Sequence, residues 1–196
     1  KKSGLAKEGA DYTLSNIITV VPGTISGFTT LSSIADTLYE LRPDGTNEKV
    51  IIDIESVDNG TEKNIQTQEV IIIDDDQIPT VSLSVVPDLI SEVLPINKSS
   101  IVATLNTFAG QDVTVTLAKN AASTAIDTID YTLDGIVITI AEGKIDSQVT
   151  LTSVIDVLDE FQETVVIDIA SVVAGVIENC AQQKTIKIED ETVEPT

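Results

Sequence analysis

The sequence predicts an all-β chain built from two copies of one Greek-key β-sandwich unit, the first copy lacking its N-terminal strands. Three observations carry this expectation. Apolar and polar residues alternate with period 2 along much of the chain, and no helical 3.6-residue pattern of useful length competes with it. Val, Ile, Leu and Thr dominate a composition that is 42% hydrophobic yet only 3% aromatic, without Trp, Met or His, which suits pleated strands over a thin core. Blocks of sequence also recur: DYTL at 11–14 returns at 130–133, SGFTTLSSIAD (26–36) parallels DSQVTLTSVID (146–156), and VIIDIESV (50–57) parallels VVIDIASV (165–172). A spacing of about 115–120 residues is too long for a solenoid and suits a sandwich domain.

The second copy shows its strands in order. VSLSVV (81–86) places Val81, Leu83 and Val85 on one face; SIVATLN follows with Ile101, Ala103 and Leu105, and DVTVTLA with Val113, Val115 and Leu117. Further strands are predicted over 136–140, 148–155, 164–172 and 184–189, making seven between residues 80 and 191. Turn signals separate them at Asn106–Gly110, Asp134-Gly135 and Glu142-Gly143. In the first copy, EVIIIDDD (69–76) is aligned with TIKIEDE (185–191), and Asn59-Gly60 is a hairpin-type signal between strands ending at Val57 and starting near Ile65. Residues 1–10 are read as the counterpart of the loop at about 120–129 that precedes the second DYTL. The expected organisation is a partial sandwich over 1–78, a complete one over 79–191 and the start of a linker over 192–196. A half sandwich leaves sheet edges and an apolar face open, so the missing strands are expected either from a longer array or from another chain.

Charge narrows the function. Thirty-two acidic residues against eleven basic ones give a net charge of −21, which excludes nucleic acid as a partner and calls for cations to relieve self-repulsion. A solvated acidic surface is the plain alternative. No apolar run reaches the ~18–20 residues of a membrane span. Cys180 stands alone and is expected as a small buried apolar residue. Without His, neither a Ser-His-Asp nor a Cys-His centre is possible, soft-metal sites lack ligands, no phosphate-binding glycine loop is present, and the aromatic platforms of a glycosidase are missing.

The acids are clustered. Asp74-Asp75-Asp76 closes the first copy and Glu189-Asp190-Glu191 the second. Asp11 and Asp130, Asp36 and Asp156, and Glu40 and Glu160 occupy matching positions. On a sandwich these fall on loops gathered at one end, where a hard cation taking six to eight oxygens would offset their repulsion. DYTL, the pattern D-x-x-x-E followed by E-x-V-x-I-D-I, the closing DDD and the restart PTVSLS together resemble the Calx-β motif family, found in a sodium–calcium exchanger's regulatory region, an integrin β subunit and large bacterial surface proteins. The resemblance implies a seven-stranded immunoglobulin-like sandwich with a Ca2+ cluster at one tip beside the domain junction. By position it implies ligands Glu92, Asp130, Asp156, Glu160, Glu189, Asp190 and Glu191 in the second copy. In the first it implies Asp11, Asp36, Glu40, Asp74, Asp75 and Asp76. The family's paired middle aspartates are reduced here to one, with Ala35 and Ile155 in the first place, so the affinity expected is about 10⁻⁴–10⁻³ M.

Two functions follow as expectations. One is a non-enzymatic, calcium-stiffened adhesive or structural repeat of an extracellular cell-surface protein. Its partners would be neighbouring repeats and, through other domains, a protein or glycan ligand. The other is a calcium-sensing regulatory module, which needs micromolar affinity or better. A filament assembled by strand complementation stays open as well.

Overall fold

The computed structural model describes residues 2–40, 45–156, 160–173 and 175–190. Glu191 and the expected linker at 192–196 lie outside the described residues. The described chain is all-β and contains no helix long and apolar enough to cross a membrane. It forms two compact units, Lys1–Asp76 and Gln77–Thr196.

The first unit holds β1 (Lys2–Gly4), β2 (Tyr12–Leu14), β3 (Leu31–Ser33), β4 (Leu38–Tyr39), β5 (Glu48–Asp53) and β6 (Thr67–Ile72). Its sheets run β1-β5-β6 and β2-β3, all antiparallel. The second unit holds β7 (Thr80–Val86), β8 (Leu89–Ser91), β9 (Lys98–Leu105), β10 (Phe108–Ala109), β11 (Val113–Lys119) and β12 (Tyr131–Leu133). It continues with β13 (Val137–Ile140), β14 (Asp146–Ser153), β15 (Glu163–Val172), β16 (Ile177–Glu178) and β17 (Gln183–Glu189). Two five-stranded sheets result, β13-β11-β15-β17-β8 and β12-β14-β9-β7-β16. β8 runs parallel to β17, and β16 parallel to β7. The first strand thus begins in one sheet as β7 and crosses to the other as β8, an arrangement of immunoglobulin-like sandwiches.

The seven strands expected from alternation are the long ones, β7, β9, β11, β13, β14, β15 and β17. Their inward residues form one continuous core, with Val81, Leu83, Ile101, Leu105, Val113, Val115, Ile138, Ile140, Leu151, Ile167, Ile186 and Ile188 all buried. Each such side chain stabilises the fold by about 1.5–3 kcal/mol through burial. The four short strands β8, β10, β12 and β16 carry too few residues to show a period.

The first unit departs from the sequence reading in four places. Residues 2–4 form a strand on β5 rather than a loop, with Lys2 opposite Ile52 where the second unit has Lys119 opposite Ile167. Asn59-Gly60 does not close a tight hairpin: β5 ends at Asp53 and β6 begins at Thr67, with Asn59 in the left-handed region (φ 58) inside the intervening loop. The stretch 26–36, parallel in sequence to 146–156, forms a strand only over Leu31–Ser33. Pairing also shifts the alignment of the closing strands by one, since Glu48 lies opposite Ile72 whereas its counterpart Glu163 lies opposite Ile188. Asp74 therefore matches Asp190, and Ile73 matches Glu189. In the second unit, Cys180 is exposed and in the left-handed region (φ 58) rather than buried.

Candidate metal centre

The same backbone device presents the first carboxylate in each unit. In the first, the Asp11 amide donates to Lys7 O at 2.9 Å and Asp11 Oδ2 accepts from the Lys7 amide. In the second, the Asp130 amide donates to Ile126 O at 2.9 Å, and Asp130 Oδ2 accepts from the Ile126 amide at 2.6 Å. The Gly9 and Thr128 amides close the turn on Tyr12 O and Tyr131 O, both at 2.8 Å. Tyr12 and Tyr131 behind them are buried packing residues. Asp11 and Asp130 are only 5% and 4% exposed, so each short side chain is locked by its own loop.

The following loop is tied to this turn. The Ile34 amide donates to Asp11 O and the Val154 amide to Asp130 O, each at 2.9 Å. It then carries Asp36, whose Oδ1 accepts from the Leu38 amide at 2.8 Å, and Glu40. The Glu40 amide donates to Asp74 Oδ2, and the Glu160 amide to Asp190 Oδ2, both at 2.6 Å. Asp74 Oδ1 also accepts from the Asp76 amide at 2.9 Å. Strands distant in sequence thus deliver their acids to one end of each unit.

Three carboxylates converge in matching sets. Oxygens of Asp11, Glu40 and Glu48 lie within 4.8 Å of one another, as do those of Asp130, Glu160 and Glu163. Asp74, Asp75 and Asp76 form a further set within the same distance. Two oxygens on one calcium ion, each ~2.4 Å from it, are at most about 4.8 Å apart, and each set lies within that limit. In the first unit Asp11, Asp36, Glu40, Glu48 and Asp74–Asp76 line a cleft of about 40 Å³. Among the described residues, Asp190 Oδ1 is buried without a hydrogen-bond partner, and no Lys or Arg forms an ion pair with Asp11, Glu40, Asp130, Glu160, Glu163 or Asp190.

The crowding shows in the acids themselves. Burial, then the charges of Asp11, Asp36, Glu48 and Asp74, pushes Glu40 up to about 7. Burial, then a hydrogen bond and the charge of Asp130, and then the charges of Glu160 and Glu92, pushes Glu163 to about 7 as well. Glu160 is raised by desolvation and by Asp130, Asp156 and Asp190; Asp76 is raised by desolvation and by Asp74, Asp75 and Asp36. These shared influences place Asp36 and Asp156 beside their clusters. Glu92 is 4% exposed, and its amide donates to Glu189 O at 3.0 Å.

Glu189 is the exception among the expected residues that are described. Its side chain is exposed and accepts from Gln162 Nε2 at 3.2 Å. As the last residue of β17, it lies on the opposite face from buried Ile186 and Ile188, and the one-residue slip in alignment had hidden this. Two residues of the clusters, Glu48 and Glu163, are absent from the expected set. Their signal was the leading Glu of E-x-V-x-I-D-I, present in both copies.

No protein-family model matches the chain, and no curated protein matches it. Among solved structures, the apo-form Calx CBD1 domain is similar at 12% identity with a TM-score of 0.48, over 59% of this chain and all of that one. CBD12 from CALX1.2 is similar at 14% identity and a TM-score of 0.48, over 57% of this chain and 44% of that one. A two-domain protein of unknown function from Bacteroides fragilis is similar at 12% identity and a TM-score of 0.44, over 58% of this chain and 46% of that one.

Proposed function

We propose that this chain is a Calx-β-like tandem segment that binds calcium, and that it serves without catalysis as a structural or adhesive repeat of an extracellular cell-surface protein. One observation carries the reading: the same carboxylate trio, on the same hydrogen-bonded loops, is assembled twice from acids distant in sequence. A solvated acidic surface does not require buried Asp11 and Asp130, and it does not place an unpartnered oxygen of Asp190 beside further carboxylates. The donors are all hard oxygens, which suits calcium and excludes soft metals.

Asp11, Glu40, Glu48 and Asp74 to Asp76 would hold ions in the first unit, and Asp130, Glu160, Glu163 and Asp190 in the second, with Asp36 and Asp156 beside them. Bound calcium supplies positive charge that offsets the mutual repulsion of these groups. Each cluster then ties its loops to the chain leaving the unit, because Asp74 stands two residues beyond the end of β6 and Asp190 follows directly on β17. In the first unit that exit runs through Gln77-Ile78-Pro79, where proline holds the preceding residue extended, so calcium stiffens the junction.

Calorimetric titration of the full chain tests the binding. Dissociation constants of about 10⁻⁴–10⁻³ M are expected. Glu40→Gln should reduce the heat of the first unit only, and Glu160→Gln that of the second only. Absence of heat at ~10 mM calcium sinks the reading. Stiffening is tested separately by small-angle scattering, where curves that superimpose with and without chelator would count against it.

A further inference from the structure

We propose that the first unit is a strand acceptor, completed by a polypeptide segment of the type of residues 80–119, which also brings a carboxylate to its acidic cluster. The acceptor surface is defined by comparing equivalent positions in the two units. In the second unit β14 pairs with β12 on one edge and with β9 on the other, over Asp146–Thr152. In the first unit the equivalent β3 pairs with β2 alone among the described residues, and residues 26–30 form no strand. β13 pairs with β11, whereas the equivalent stretch around 17–21 has no strand although its sequence is IITVV. β15 continues to Val172 against β11, whereas β5 stops at Asp53.

Side-chain burial follows the same division. Ile140 is fully buried, but Val21 at its place is 53% exposed; Leu151 is buried, but Leu31 is only partly so. Val50, which pairs with both β1 and β6, is fully buried, like its counterpart Val165. Strand-forming sequence without a strand, beside open edges, marks a sheet that can take up further strands.

Three features specify the occupant. Its end is fixed in register, because Lys2 occupies on β5 the place that Lys119, the last residue of β11, occupies on β15. Its charge must be low, because residues 1–76 carry fourteen acids against six bases. Residues 80–119 carry three acids and two lysines, whereas the same face of a second copy would add repulsion. It should also present a carboxylate where Glu92 stands beside Glu163 and Glu189, a place that no residue of the first unit's matched segments fills. This last step rests on the calcium reading; the acceptance of strands does not.

The test joins a second copy of residues 79–118 directly ahead of Lys2 in the full chain and measures amide exchange in chelator, so that no ion contributes. Exchange at 17–21, 26–30 and 54–57 should slow by about tenfold or more. Ile101→Asp in the added copy should abolish the slowing. Unchanged exchange in the joined chain overturns the proposal, as does protection in the unmodified chain that grows with its own concentration. Glu92→Gln in the added copy should keep the protection and weaken calcium binding by the first unit about threefold or more; equal affinity with and without this substitution refutes the donated carboxylate alone.

Discussion

At the scale of single residues, the two copies solve one turn with different side chains. Gly9 has φ 90 and Thr128 has φ 69, and both amides close on the carbonyl of the buried tyrosine that follows. Glycine adopts this region freely, while a β-branched side chain is strained there. Thr128 is exposed, so a smaller residue leaves no cavity. Thr128→Gly should therefore stabilise the second unit by about 1 kcal/mol, after allowance for the looser unfolded chain. Urea unfolding of the full chain measures it, and a loss of stability would show that the threonine makes a contact worth more than its strain. This conformation was illegible in the sequence, because Thr is not a residue that announces a positive φ. Asp11 and Asp130 were legible, since a short acid before a recurring tyrosine marks a fixed loop. Glu189 points away from the buried face although an acidic triplet suggests three equivalent ligands. Strand alternation turns consecutive side chains to opposite faces, and only pairing between strands shows which one turns inward.

At the scale of elements, the clusters join the ends of strands that the sequence separates by tens of residues. Alternation revealed β7, β9, β11, β13, β14, β15 and β17, because each has one face in the core. It could not reveal β8 or β16, whose pairing is parallel and two or three residues long, nor the loss of regular structure around 17–21, where the local sequence favours a strand and the partner is missing. Glu48 and Glu163 begin β5 and β15, and their membership in the clusters depends on which loop crosses above them. These strand ends govern the response to pH. Glu40 and Glu163 ordinarily titrate near 4.5 and are pushed to about 7, so the folded chain holds their protons more tightly than the unfolded chain. Their stabilising contribution is complete below about pH 4.5 and is lost as pH rises through about 7. In chelator, the melting temperature should therefore fall between pH 5 and 7.5. Calcium competes for the ionised form and should flatten or reverse the slope. A melting temperature that rises with pH in chelator across that window would show that the two glutamates are ionised when folded.

At the scale of the whole molecule, the two units invest very differently in their cores. The second has a continuous core spanning both sheets. In the first, the buried hydrophobic side chains among the described residues are Tyr12, Tyr39 and Val50, too few to offset much chain entropy. Its acidic loops are nonetheless as closely hydrogen-bonded as those of the second. The first unit should thus depend on its ions for much of its order, and the full chain should not unfold in a single step. Limited proteolysis in chelator is expected to cut first within 15–30 and 54–66, where strand pairing is absent, well before any cut in β7 to β17. At ~10 mM calcium and a dissociation constant of about 10⁻⁴–10⁻³ M, binding to the folded state alone contributes about 1.4–2.7 kcal/mol. Where opening precedes cleavage, that slows the early cuts by about 10–100-fold. Glu40→Gln should reduce the slowing while leaving the second unit's resistance unchanged. Early cuts that proceed at the same rate with and without calcium would mean that the order of the first unit does not depend on the ion, and that its carboxylates meet for some other reason.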